Sequence, residues 1–325
     1  MNDPAQILIE LAHGHVAARC LQIVAELGVA DVLGARAASA EELAAQTGVS
    51  ADALGRILRL LAAHGVFAAE GGAYVHTAAS RLLRGDAPGS LRSLVRMNGM
   101  PVIWNQYTEL AHAVRTGRPA TDWAGLLEYF AAHAEEAAQF NQAMVGKSAA
   151  VVPAIVAAYE FDAFSTIADI GGGHGHLLEA VLESAPAASG VLYDLPQVIA
   201  EAAGRANDRL ERRGGDFFVD ALPRADLYLL MEVLHDWADA DASRILGAIH
   251  RAAPPGAHVL IVESLVPETP GPARAKTLDI MMLALTGGRE RTRAEYETLL
   301  GAGGYRLERV LPTTTAYSLV EAIKD

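Results

Sequence analysis

The chain has one cysteine, Cys20. That excludes an intrachain disulfide and any zinc cluster built on several thiolates, and no metal is expected. Positive charge is also scarce, with 26 Lys and Arg against 39 Asp and Glu and a formal net charge of −13. Nucleic-acid binding draws most of its free energy from basic groups that neutralise phosphates, so this balance argues against nucleic acid as a partner and equally against an anionic membrane surface. No apolar run reaches the roughly 18 residues that read as a membrane span. The opening Met1-Asn2-Asp3-Pro4-Ala5-Gln6 lacks the basic stretch that starts a secretory signal. A cytoplasmic protein is the expectation. Repeats are missing too, and the only compositional bias is a general richness in alanine.

What is abundant is apolar surface. Hydrophobic residues make up 51% of 325 positions, enough for two well-filled cores. The patterning changes near residue 150. Residues 4–34 carry helical spacing (Ile7, Leu8, Leu11, Leu21, Val24, Leu27), punctuated by Gly28 and Gly34. Ser39 is placed to cap a short helix with Glu41 and Glu42 in its first turn, and a second helix follows over 51–64. Two short strands about Gly71-Gly72 complete a unit like a winged helix-turn-helix, predicted over residues 1–88. The shape invites a DNA-binding reading, but Arg56 and Arg59 are the only cations of the second helix and Asp52 opposes them. A packing or dimerisation module fits the apolar content better. Residues 89–150 read as a helical linker region with a stripe of Met97, Met100, Trp104, Tyr107, Phe130, Phe140 and Met144, which serves equally as core or as the roof of a pocket.

Residues 151–325 alternate strand and helix. Strands are predicted at 166–170, 190–193, 214–218, 226–231, 257–263, 304–310 and 316–321, the pattern of a doubly wound α/β sheet whose last two strands pair antiparallel. The most informative stretch runs from Thr166 to His176, where a short apolar strand breaks after Asp169 into Gly171-Gly172-Gly173-His174-Gly175. A helical pattern starts at once. The third glycine of a dinucleotide fingerprint is replaced by His176, so the loop suits an adenosine without a pyrophosphate, such as S-adenosylmethionine (SAM), better than NAD. A tight turn with no ligand remains open at this point.

Three acidic or aromatic groups follow at consecutive strand ends. Asp194 ends the second strand, where a carboxylate reaches ribose hydroxyls or else caps the helix after Leu195-Pro196. Gly215-Asp216-Phe217-Phe218 is predicted to end the third, offering an acceptor for an adenine amine and a ring to stack on it, or simply a surface turn. The fourth strand delivers His235-Asp236-Trp237 to the same edge. Histidine titrates nearest neutrality and suits proton removal from a hydroxyl, although a lone histidine is as readily structural. Glu263 and Glu290 are placed to converge on the imidazole and fix its tautomer.

These strings, Gly171-Gly-Gly-His-Gly, Leu192-Tyr-Asp-Leu-Pro-Gln-Val-Ile, Gly215-Asp-Phe-Phe, Val233-Leu-His-Asp-Trp and Gly287-Gly-Arg-Glu-Arg-Thr, occur in the order seen in one family. The chain resembles the dimeric class I SAM-dependent O-methyltransferases over nearly its whole length. That family includes bacterial natural-product tailoring enzymes, their plant relatives acting on caffeate and flavonoids, and the acetylserotonin methyltransferases. The resemblance implies a seven-stranded Rossmann-like methyltransferase sheet behind a mainly helical winged-helix dimerisation domain, and a homodimer. It implies a SAM site at Asp169, Gly171, Gly172, Gly173, Asp194, Leu195, Gly215, Asp216, Phe217 and Met231, with His235 as base beside Glu263 and Glu290. A small aromatic acceptor would meet Met97, Trp104, Tyr107, Phe130, Phe140, Met144, Asp236, Met281, Met282 and Leu285. Where plant members carry Lys-Ala or Lys-Trp before Val-Leu-His, this chain has Met231-Glu232, so contacts there do not carry over. Two other classes stay open: a SAM-fold enzyme with non-methylating chemistry, and a SAM-sensing regulator.

Overall fold

Asp3 accepts the Ala5 N–H at 3.2 Å and Pro4 fixes the first turn, so the chain begins its first long helix at Pro4–Glu26. The computed structural model describes residues 3–202 and 208–325. It divides into two compact units, Met1–Asn105 with Phe130–Lys147 and Gln106–Tyr129 with Ser148–Asp325. The segment read as one linker over 89–150 is therefore shared between them.

In the first unit Gly28, at φ 66°, turns the chain into the short helix Val29–Leu33. Ser39 and Glu42 form a reciprocal capping box at the start of Ala40–Thr47, and Ser50 caps Ala51–Ala63. Strands β1 (Phe67–Glu70) and β2 (Ala73–His76) pair antiparallel across Gly71-Gly72. Val24, Val29, Leu33, Leu43, Leu54, Leu58, Leu61 and Phe67 form the core. The first helix contributes only its far end to that core. Leu8 and Leu11 are 69% and 75% exposed, and Ile7, Ile9 and Val16 are exposed as well. Length and composition alone would let this helix cross a membrane. Met97, Met100, Ile103 and Phe130 are buried, and the Phe130 and Phe140 rings lie 4.9 Å apart between centroids.

The second unit is built on a seven-stranded sheet. Its strands are β3 (Thr166–Ile170), β4 (Ser189–Asp194), β5 (Leu210–Gly214), β6 (Leu227–Met231), β7 (His258–Glu263), β8 (Tyr305–Pro312) and β9 (Ser318–Lys324). Their spatial order is β5-β4-β3-β6-β7-β9-β8. β3 to β7 run parallel, and β9 inserts antiparallel between β7 and β8. Central strands are apolar on both faces because helices cover both, as burial across β6 and β7 shows. The third strand departs from expectation. It ends at Gly214 rather than spanning 214–218, because Leu-Glu-Arg-Arg-Gly at a sheet edge needs no apolar run, whereas Phe217-Phe218 belongs to the turn beyond it. The chain leaves β3 toward β4 and β5, then returns through β6 toward β7, so the crevice of this sheet opens at the carboxyl ends of β3 and β6.

Candidate active site

The turn after β3 is shaped by close packing. Gly171 and Gly173 take φ of 70° and 57°. A Cβ at Gly171 would lie 2.9 Å from the Val233 side chain, and one at Gly172 2.5 Å from the Asp169 carboxyl carbon. At Gly173 an added Cβ would meet nothing within 4 Å, so this glycine faces open space. Asp194, at the end of β4, ties the turn down: its Oδ2 accepts the Gly173 N–H at 2.8 Å and its Oδ1 the Leu195 N–H at 2.7 Å. Burial raises the Asp194 pKa although both N–H donors oppose it.

Asp169 lies behind the turn, 1% exposed, and neither carboxylate oxygen has a hydrogen-bond partner. Burial, reinforced by the Asp194 charge, lifts its pKa to about 7, while the Leu178 N–H, outside hydrogen-bond geometry, works the other way. An unmet buried carboxylate beside an open glycine cradle fits a ligand that brings N–H donors and positive charge, as the ammonium of SAM does. Past β5, Gly215 packs on the Tyr193 ring, and Asp216 Oδ1 accepts the Phe218 N–H at 2.8 Å. Phe217 and Phe218 meet Trp237 edge-on, with centroids 6.0 and 4.7 Å away. Met231, at the end of β6, is partly buried.

His235 follows β6 on the short 3-10 turn Leu234–Asp236 and is 6% exposed. Its Nδ1 lies 2.9 Å from Glu290 Oε1 and its Nε2 3.7 Å from Asp236 Oδ1. A carboxylate only accepts, so Nδ1 carries the proton. Glu263 behaves differently from expectation. Its Oε1 accepts the backbone N–H of His235 at 3.0 Å and its Oε2 the Tyr296 hydroxyl, so it holds the main chain and not the ring. Burial opposes a charged imidazole, but Asp236, Glu290, Glu263 and Glu232 outweigh it and raise the His235 pKa. Burial raises the Glu263 pKa, with His235 and Tyr296 working against it.

The segment carrying Glu290 grips the loop of His235 from several sides. Arg289 N–H donates to the His235 carbonyl at 2.8 Å, and a Cβ at Gly288 would fall 2.0 Å from that oxygen. Arg291 is fully buried and donates to Leu234 O and Trp237 O, each at 2.9 Å, and to Asp239 Oδ1 at 3.0 and 2.9 Å. From the helix Arg274–Leu285, Asp279 Oδ1 accepts the Glu290 N–H at 3.0 Å. Sequence reading missed Arg291, Tyr296 and Asp279; Arg291 stood inside a quoted motif, but nothing in its spacing named the carbonyls it meets. Glu232 was noticed only as a departure. It is the non-glycine residue at positive φ (54°) among the described residues, and its Oε1 accepts the Tyr317 hydroxyl at 2.6 Å.

Of the residues expected around an acceptor, Tyr107 and Met281 line a cleft of about 740 Å³ with Arg274, Thr277 and Ile280, while Met282 and Leu285 are buried and Asp236 flanks the imidazole. Met97, Trp104, Phe130, Phe140 and Met144 lie in the first unit. Among the described residues no group of His, Cys, Asp and Glu could hold a metal ion.

Comparison with known proteins agrees with this layout. Residues 107–306 match the O-methyltransferase domain and residues 9–86 the O-methyltransferase dimerisation domain. The phenazine O-methyltransferase PhzM of Lysobacter antibioticus is 40% identical over 98% of this chain and 96% of its own. Human N-acetylserotonin methyltransferase, solved in complex with SAM, superposes with a TM-score of 0.89 at 29% identity, covering 99% of this chain and 98% of that one. NcsB1 from neocarzinostatin biosynthesis, solved with SAM and 2-hydroxy-5-methyl naphthoic acid, gives a TM-score of 0.79 at 32% identity over 95% and 96% of the two chains. The chain belongs to the O-methyltransferase family, with that family's dimerisation domain at its front.

Proposed function

We propose that this protein transfers a methyl group from SAM to a hydroxyl of a small aromatic acceptor, in the cytoplasm and as a homodimer, with His235 as general base. The observation that carries the reading is the buried imidazole at the carboxyl edge of β6, with Nδ1 engaged by Glu290 and Nε2 left to take a proton, one strand from the glycine turn after β3. Bound SAM supplies an activated methyl on a sulfonium. The residues that would hold it are Asp169, the turn Gly171 to Gly173, Asp194 with Leu195, Gly215 to Phe217, and Met231. Asp194 keeps acceptor capacity for ribose hydroxyls beyond its two backbone bonds.

The remaining chemistry is alignment and removal of one proton. A phenol has a pKa near 10, so its deprotonation at pH 7 costs roughly 4 kcal/mol, and a base whose own proton affinity is raised offsets much of that. Glu290 fixes the tautomer and stabilises the imidazolium that forms; Glu263 and Tyr296 hold the backbone beneath it. The acceptor is assigned to the cleft at Tyr107 and Met281, where the tyrosine ring, Ile280 and Met281 offer apolar contact to a flat ring beside the cationic Arg274 and Lys276. The phenazine in one relative's name and the naphthoic acid bound to another are flat rings of that kind.

A panel of phenols, quinols and hydroxylated polycycles, read by release of S-adenosylhomocysteine (SAH), tests the activity. In the His235→Ala variant SAM affinity should stay within about threefold while turnover falls roughly 10² to 10⁴-fold. Near-normal kcat in that variant removes the base assignment.

A further inference from the structure

A base must be neutral to accept a proton, yet carboxylates approach His235 from every side. Asp236 stands 3.7 Å from Nε2 on the same turn, and Glu290 2.9 Å from Nδ1 in the segment behind it. Glu263 arrives from the end of β7, and Glu232 from the end of β6, held by the Tyr317 hydroxyl that precedes β9. Asp279 accepts the Glu290 N–H, and Tyr296 donates to Glu263. Arg291 is the buried cation of this cluster, and its guanidinium is committed to Leu234, Trp237 and Asp239. These acidic groups favour the protonated form of the imidazole.

We propose that His235 is an imidazolium in the cofactor-free protein and that a sulfonium bound beside it weakens the hold on its Nε2 proton, so that methyl-donor binding itself favours the base form. The inference rests on the donor assigned above. It follows from the juxtaposition of two adjacent strands: β3 and β6 pair in register, and Gly171 packs on Val233, two positions before His235 in the chain. A cation in the glycine cradle therefore replaces the proton as counter-charge to the same carboxylates. Glu290 keeps Nδ1 protonated, so the proton that leaves is the one on Nε2, and the lone pair it exposes is the one an acceptor hydroxyl needs. A unit charge about 6 Å away at an effective dielectric of about 20 is worth on the order of two pH units of proton affinity. Burial disfavours the charged ring and its acidic neighbours outweigh that, and the same dry surroundings make the site responsive to an added charge. After transfer the thioether product is uncharged at sulfur, and the imidazole holds its proton again.

SAM and SAH differ by the methyl and its charge, which makes them a matched pair of probes. Calorimetric titration of the full-length protein with each, near pH 9 in buffers of different ionisation enthalpy, counts the protons released. The ligand's own amine is common to both, and the His235→Gln variant isolates the contribution of the ring. The expected result is that SAM binding releases about half a proton or more beyond SAH, and that His235→Gln abolishes the difference. Titration of the His235 ring by ¹³C NMR in the unmutated protein gives a second reading, with a lower midpoint in the SAM complex than in the SAH complex. Equal proton release for the two ligands, a difference that survives His235→Gln, or identical midpoints would overturn the proposal. Absence of methyl transfer to any phenol, with the SAM–SAH difference intact, would instead sink the assigned reaction and leave the linkage standing.

Discussion

Asp169 is a buried carboxylate whose oxygens meet no donor. Its folded pKa, about 7, lies above that of an unfolded chain, so the sign of its effect on stability is set. The folded state favours the protonated form; the contribution is fully present below the unfolded value and is lost as pH rises through about 7. Asp169→Asn should therefore raise the melting temperature of the cofactor-free protein at pH 8, by an amount equivalent to about 2 kcal/mol, and much less at pH 5. The same variant should bind SAM at least tenfold more weakly by calorimetry. A melting gain equal at both pH values, or unchanged SAM affinity, would contradict this account. The sequence marked Asp169 as the end of a strand before a glycine turn. Its isolation was not legible, because that depends on Gly172 lacking a Cβ and on Leu192 from β4 closing over the turn.

At the scale of elements, the segment Gly287 to Thr292 acts as a clasp on the turn that carries His235. Gly288 allows contact with the His235 carbonyl, and the Arg291 fork binds carbonyls on both sides of it. Lysine keeps the charge of Arg291 and loses the planar fork, so Arg291→Lys is expected to leave SAM affinity within about twofold, lower kcat by roughly 10 to 100-fold and shift KM little. Steady-state kinetics beside a melting curve checks it; a loss of kcat no larger than the loss of folded protein would reduce Arg291 to a structural role. Sequence pattern located this segment and the strand bearing His235, since apolar runs and glycine punctuation are local signals. It failed where local and tertiary signals diverge. β5 carries Glu211, Arg212 and Arg213 because an edge strand has one neighbour, and its apolar-looking sequel Phe217-Phe218 belongs to an aromatic cluster with Trp237. The Glu263 side chain was expected on the imidazole, but which of two groups on one residue a carboxylate meets is decided by rotamer and backbone course, not by spacing.

For the whole molecule, the outer turns of Pro4–Glu26 present Ile9, Leu11 and Val16 without cover inside the stretch 9–86 that matches the dimerisation domain, with Ile7 and Leu8 exposed just before it. A second copy of the chain is the proposed cover, since apolar surface of that extent favours association. Light scattering after size exclusion should give a dimer at micromolar concentration, and Leu11→Glu with Leu8→Glu should shift it to monomer; a monomeric starting protein would refute the assembly. Another feature acts during synthesis. β9 is made after β8 yet lies between β8 and β7, antiparallel to both. A growing chain on the ribosome thus exposes an unzipped β7 edge, with Glu263 at its tip, until Ser318–Lys324 has emerged. Nascent protein stalled before that point should be incompetent for its cofactor and prone to mispair along that open margin.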